Sequence, residues 1–281
     1  MQYNQSAQFN DISMNISSIK SNSLSGFLRY GISPDVTAFS PLRDAVLPMP
    51  VVQAHQVHGD RVAVVRSAAL TREDLDGFDA LITDTPGVAV GARTADCIPV
   101  LMYDPVHRAV AAVHSGWKGT VLKIAAKTLA AMSGEFGTRS ADILAVIGPG
   151  IGPDSSQVGP EVVRAFLDAG FPEAGLPGTY SSDRPVISDR GPKIPGTMQG
   201  GLHIDLWEAV RLTLIRAGVP DSHILTAGID TYTHPGFFSA RREGPSCGRT
   251  VNTIMLNATM QARPQNTPEF RVIDSLPPQR Q

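Results

Sequence analysis

Apolar residues in this chain fall mostly in short runs punctuated by Gly, Pro, Asp and Ser, the pattern of strands joined by turns. VVQAHQV (51–57) and RVAVVRS (61–67), rich in β-branched residues, predict two strands around the short turn HGD. DALITD (79–84) and VAVGARTAD (88–96) predict two more, flanking the turn signal TPG. IPVLMYD (98–104) and RAVAAVHS (108–115) are separated only by Pro105, Val106 and His107, which predicts an antiparallel hairpin.

From Thr120 the period changes. In TVLKIAAKTLAAMSGEFG (120–137), Val121, Ile124, Ala125, Thr128, Leu129 and Met132 recur at helical spacing. ADILAVIGPGIG (141–152) reads as a strand ending in a Gly/Pro loop, and PEVVRAFLDAG (160–170) as a helix opened by Pro and closed by Gly. HIDLWEAVRLTLIRAG (203–218) predicts an amphipathic helix with Asp205 as N-cap. HILTAGI (223–229) and RTVNTIMLNA (249–258) predict late strands, and the Pro- and Gly-rich stretch 172–200 a long surface excursion. Strands and hairpins come first and strand and helix mix later, without a regular βαβα rhythm. The expected fold is α+β, with mixed β-sheets and flanking helices in a single compact domain over 25–261. A polar, partly ordered segment (1–24) precedes it and a tail outside the core (262–281) follows.

Composition narrows the partners. The net charge is −2, with 24 basic and 26 acidic residues, so there is no broad basic field to attract nucleic acid or an acidic membrane. No run is long enough to span a bilayer, and the first twenty residues carry no apolar signal core. Cys97 and Cys247 are the only cysteines, which implies no disulfide framework and points to a reducing, cytoplasmic compartment.

Three segments carry candidate chemistry: HQVHGDRV (55–62), RTADC (93–97) and AVHSGW (112–117). Each places one metal-ligand type at a strand end or turn: His58, Cys97 and His114. Buried in strands, the three would be ordinary core residues. Brought together, they would give an ion three protein ligands and one open position, the pattern of a catalytic zinc site. A thiolate in the set would also let copper compete. A Cys–His pair equally serves nucleophilic catalysis, so a hydrolase with Cys97 as nucleophile and His114 as base is the competing expectation.

QVHG (56–59), TADCIPVLMYD (94–104), AVHSGWKGT (112–120), IGPGIG (147–152) and FFSARREGPSCGR (237–249) together resemble the laccase-domain family, also called polyphenol oxidase or YfiH-like, whose members include purine nucleoside phosphorylases. The resemblance implies zinc held by His58, Cys97 and His114 in a single α+β domain. It implies phosphorolysis of adenosine, inosine and methylthioadenosine to free base and sugar 1-phosphate. Some members also deaminate adenosine, a bacterial branch is linked to editing of a peptidoglycan precursor, and copper-dependent phenol oxidation is a side activity. The expected partners are a small nucleoside and phosphate. Asp96 is a candidate general acid/base, or a group that orients a ligand. Arg61 and Arg241 are candidate phosphate ligands, since guanidinium matches phosphate bidentately. The glycines of IGPGIG could turn backbone N–H groups toward an anion or simply make a tight turn. The chain departs from the family pattern at Lys118, where arginine is commoner, and at Ser155, Ser156 and Asp230, where cysteines are common. It also lacks a clear Asn-Leu-Gly stretch before QVHG.

Overall fold

The hairpin expected from 98–104 and 108–115 forms, and it lies at the centre of the molecule. Its register pairs Ile98 with Ser115 and Asp104 with Ala109. The computed structural model describes residues 15–17, 26–173, 185–189, 201–258 and 270–273. In chain order the strands β1 (Asn15–Ser17), β2 (Phe27–Gly31), β3 (Val36–Pro41), β4 (Val52–Gln53), β5 (Val62–Val65), β6 (Ala80–Thr83), β7 (Ala89–Thr94), β8 (Ile98–Asp104) and β9 (Ala109–Ser115) come first. Helices α1 (Trp117–Val121) and α2 (Ile124–Phe136), strands β10 (Leu144–Ile147) and β11 (Gln157–Val158), and helix α3 (Pro160–Asp168) follow. The chain continues through β12 (Ile187–Asp189), β13 (Leu202–Ile204), α4 (Leu206–Arg216), β14 (Ile224–Thr226), α5 (Ala240–Glu243), β15 (Thr250–Leu256) and β16 (Phe270–Ile273).

These strands make a six-stranded sheet in the order β1-β2-β3-β15-β7-β4, a seven-stranded sheet in the order β14-β10-β8-β9-β6-β5-β16, and a small sheet β11-β13-β12. Both large sheets are mixed: β4 pairs parallel with β7, and β5 with β6, while most other pairs are antiparallel. The expected α+β class with mixed sheets is the one observed.

The core explains why β8 and β9 read as continuous apolar runs. One face of the seven-stranded sheet, with Leu101, Tyr103, Val110 and Ala112, packs on Tyr30, Val90, Ala92 and Ile254 of the six-stranded sheet. The alternate residues Val100, Met102, Ala111 and Val113 pack on Ile124, Leu129, Met132 and Leu212 of the helices. A strand buried on both faces has no polar side to alternate with. Among the described residues, no helix is long and apolar enough to cross a membrane.

Three local readings change. The strands on either side of HGD do not pair, because β4 belongs to the six-stranded sheet and β5 to the seven-stranded one. The chain crosses between sheets at His58–Asp60, and that crossing carries the site. The helix expected over 120–137 is two helices broken at Lys123, whose backbone is left-handed at φ 61. The helix expected from His203 starts at Leu206, with the Asp205 carboxylate accepting from Glu208 N at 2.9 Å as the predicted cap. His203 itself lies in β13. At the C-terminal end β16 adds an edge strand against β5, which the sequence pattern did not predict. Within the stretch expected as a long excursion, residues 174–184 and 190–200 lie outside the described residues, whereas 187–189 form β12.

Candidate active site

The three candidate ligands converge. One donor atom from each of His58, Cys97 and His114 lies within 4.8 Å of the others. The two imidazoles meet edge to face, with ring centroids 4.8 Å apart.

Local structure places each of them. His114 is the penultimate residue of β9, and Cys97 immediately precedes β8, so the hairpin itself brings them side by side. One step beyond the Ile98–Ser115 pair, Cys97 faces Gly116. A Cβ at Gly116 would sit 2.9 Å from Cys97 Sγ and 3.0 Å from His58 Cδ2. The small residue of SGW therefore makes room for two of the three donors. Gly116→Ala should destabilise the protein by about 1–3 kcal/mol through overpacking. It should also lower metal occupancy, which thermal melting and metal analysis would read together.

His58 arrives from the crossing loop in a left-handed conformation, φ 61, uncommon outside glycine. Asp79, just before β6, holds that loop. Its Oδ2 accepts from Val57 N at 3.2 Å and Gly59 N at 2.8 Å, and its Oδ1 accepts from His58 N at 2.9 Å. The same carboxylate bonds His114 Nδ1 at 2.7 Å. One buried acid thus orients two ligands, one from the crossing loop and one from β9, and it leaves the other His114 nitrogen facing the shared centre. Sequence reading missed Asp79. Its one visible signal was a carboxylate opening an otherwise apolar strand.

The electrostatics follow from this packing. Burial pushes the Asp79 carboxyl up, but the His114 contact and the backbone N–H donors outweigh it and the net shift is downward. Burial opposes charge on His114 as well, yet Cys97 and Asp79 raise it to about 9. For Cys97 burial raises the thiol pKa, while the charge and hydrogen bond of His114, then His58, bring it down to about 6. The sulfur is therefore a thiolate at neutral pH, which is both the metal-binding and the nucleophilic form.

These donors sit in a cleft of about 860 Å³ that four arginines also line: Arg72, Arg93, Arg241 and Arg249. Arg241 is held from both ends. Its backbone N donates to Asp96 Oδ2 at 2.6 Å and its guanidinium to the Gln157 carbonyl at 3.0 Å. Asp96, left-handed at φ 82, accepts at its other oxygen from Thr231 at 2.7 Å. Both oxygens of the candidate acid/base, the residue before Cys97, are thus engaged, one by the Arg241 backbone and one by Thr231.

Arg61 does not line the cleft. Its guanidinium stacks over the Phe78 ring at 4.2 Å. Arg93, which opens RTADC, is there instead, its backbone clamped by Gln56 through bonds of 2.8 and 2.9 Å. Arg242 is spent on the carbonyls of Thr231, Tyr232 and Phe237. The IGPGIG loop is a tight turn rather than an anion cradle. Its N–H groups at Gly148, Gly150, Ile151 and Gly152 donate to Pro99, Ile229, Asp96 and Asp230. Ser155 and Asp230, two positions that depart from the family pattern, bond each other at 2.6 Å. Phe237 is fully buried and not available for stacking on a base.

A family model described as multi-copper polyphenol oxidoreductase laccase matches residues 41–257. The chain is 42% identical over 218 residues to a purine nucleoside phosphorylase of Bacteroides thetaiotaomicron, covering 75% of each protein. It is 37% identical over 211 residues to adenosine deaminase RL5 of an unknown prokaryotic organism, covering 73% of this chain and 74% of that one. Among solved structures, Bacillus licheniformis YfiH superposes with a TM-score of 0.69 at 27% identity, over 84% of this chain and 98% of its own. YlmD from Geobacillus stearothermophilus gives 0.68 at 25% identity, over 84% and 98%.

Proposed function

Since this chain belongs to the multi-copper polyphenol oxidoreductase laccase family, we propose that it is a metal-assisted purine nucleoside phosphorylase of the cytoplasm. It would convert adenosine, inosine or methylthioadenosine and phosphate to free base and sugar 1-phosphate. The observation that carries this reading is the meeting of a His–Cys–His donor set and four arginines in one cleft. The names of its relatives, phosphorylase and adenosine deaminase, support nucleoside chemistry.

The donors fit a metal. Two imidazoles and a thiolate suit zinc and leave a position open, and copper can compete for the sulfur. His114 is already turned by Asp79 so that its other nitrogen faces Cys97. His58, Cys97 and His114 would hold the ion, which when bound supplies Lewis acidity to a substrate oxygen or nitrogen. The remaining work belongs to the chain. Arg241 binds phosphate through a guanidinium positioned by Gln157 and by Asp96. Asp96 acts as a positioning residue, since both its oxygens are occupied. Held against the anomeric carbon, phosphate forms the C1′–O bond as the C1′–N bond breaks. The base leaves with the bonding pair, and the proton of hydrogenphosphate ends on it.

Metal-loaded protein given adenosine should release adenine and ribose 1-phosphate only when phosphate is present. Folded, loaded protein that makes no phosphate-dependent product would refute the assignment.

The Cys97–His114–Asp79 relay favours a second reading, a thiol hydrolase of amide substrates, because it has the order nucleophile, base and orienting acid. Alkylation separates the two. In metal-free protein, iodoacetamide should modify Cys97 with a rate that rises through a midpoint near pH 6, the pKa of the thiol. One equivalent of zinc should suppress that reaction in a phosphorylase. A hydrolase would be active without metal and lose activity on alkylation.

A further inference from the structure

The cleft holds more positive charge than one phosphate calls for. Arg241, tied to Asp96, the residue before Cys97, is the arginine assigned above to the phosphate that attacks. Arg72, Arg93 and Arg249 form a separate group. All three line the same cleft, with Arg93 partly buried in its wall, where burial first and then the charges of Arg72 and Arg249 push its pKa down.

Among the described residues, Asp96 is the only acid that lines the cleft, and its two oxygens accept from Thr231 and the Arg241 backbone. The hollow that shares Arg72 and His55 with the cleft is also lined by Glu73 and Asp76, and Asp76 is bonded to His55 at 2.5 Å.

The three arginines also keep donors in reserve. Arg93 spends one nitrogen on Gln53 Oε1 at 3.1 Å. Arg249 uses its terminal nitrogens on the Pro245, Cys247 and Gly248 carbonyls and on Cys247 Sγ, which fixes it without neutralising it. No hydrogen bond or ion pair joins the Arg72 guanidinium to another described residue. Three like charges on one cleft wall repel one another, and an anion between them relieves that repulsion and can accept from more than one guanidinium. The cleft, at about 860 Å³, also has room for a ligand larger than a nucleoside.

We propose that Arg72, Arg93 and Arg249 form a second anion subsite, and that the substrate class extends to nucleosides carrying their own phosphomonoester, that is, nucleoside 5′-monophosphates. This rests on the phosphorylase reading and deepens it. The ester phosphate docks on the three arginines, and inorganic phosphate docks on Arg241. The C1′–O bond to inorganic phosphate forms as the C1′–N bond breaks, and the base departs with the electron pair and the hydrogenphosphate proton. The products are free base and ribose 1,5-bisphosphate, with no oxidant or further reactant needed.

The test compares adenosine with adenosine 5′-monophosphate at saturating inorganic phosphate. Dissociation constants come from calorimetry on the metal-free protein, where turnover is not expected, and KM values from base release by the zinc-loaded protein. The monophosphate should bind about tenfold more tightly, the worth of one good charge-assisted contact. Arg72→Ala should bring the ratio of the two affinities close to one, and Arg72→Lys should restore part of it. Arg72 is exposed, so neither variant threatens the fold. Equal affinities in the wild type would overturn the proposal. So would an advantage that saturating phosphate abolishes, since all the arginines would then serve one phosphate. So would an Arg72→Ala variant that keeps the preference. Binding is read without turnover, so a protein that prefers the monophosphate yet phosphorolyses nothing would sink the phosphorylase reading and leave the anion subsite standing.

Discussion

Cys97→Ala should leave the chain folded, empty it of metal and lower phosphate-dependent base release by at least about a hundredfold. Losing even a partner that only orients a metal ligand costs about 10–100-fold, and Cys97 is one of the three donors themselves. The substitution removes one sulfur from a half-buried position that lines the cleft. Melting should therefore move little, while metal analysis and kcat/KM move together. A Cys97→Ala protein that keeps stoichiometric metal and turnover would mean that the sulfur is a bystander.

Asp79→Asn should lower metal affinity about 10–100-fold by loosening His114, and unlike Cys97→Ala it should also cost stability. Asp79 is 2% exposed, and its two oxygens accept four bonds: Val57 N and Gly59 N on Oδ2, His58 N and His114 Nδ1 on Oδ1. An amide can accept on only one side. If its NH2 takes the Oδ2 place, two backbone donors face another donor; if it takes the Oδ1 place, His58 N and His114 do. Each orphaned group costs about 1–3 kcal/mol, so a loss of about 2–6 kcal/mol is expected in denaturant melts of the metal-free protein. Zinc titration would read the affinity separately. A variant that loses stability but binds zinc normally would make Asp79 a brace for the loop and nothing more.

How much of this was visible in the chain alone follows from which forces are local. The β8–β9 hairpin was legible because two apolar runs flank three residues, and the α4 cap was legible because Asp205 precedes an apolar stripe. The metal candidates were legible by residue type and family resemblance. Their convergence was expected from the resemblance but not from the spacing, because the placing of His58 depends on a carboxylate 21 residues further on. The break at Lys123 was hidden, since the apolar period runs through it without Gly or Pro. Arg61 and Arg93 look alike in sequence. Only packing decides between them: Phe78 draws the first away, and the Gln56 clamp on the Arg93 backbone keeps the second at the cleft. The departures at Ser155 and Asp230 became intelligible only as a pair in contact.

The most direct measurement is X-ray absorption at the zinc edge of the loaded protein, one ion per chain, compared with Cys97→Ala. The account predicts an inner shell of one sulfur and two imidazole nitrogens plus a light atom, with the sulfur lost in the variant. A shell of oxygen and nitrogen alone in the wild type, unchanged by the substitution, would contradict it.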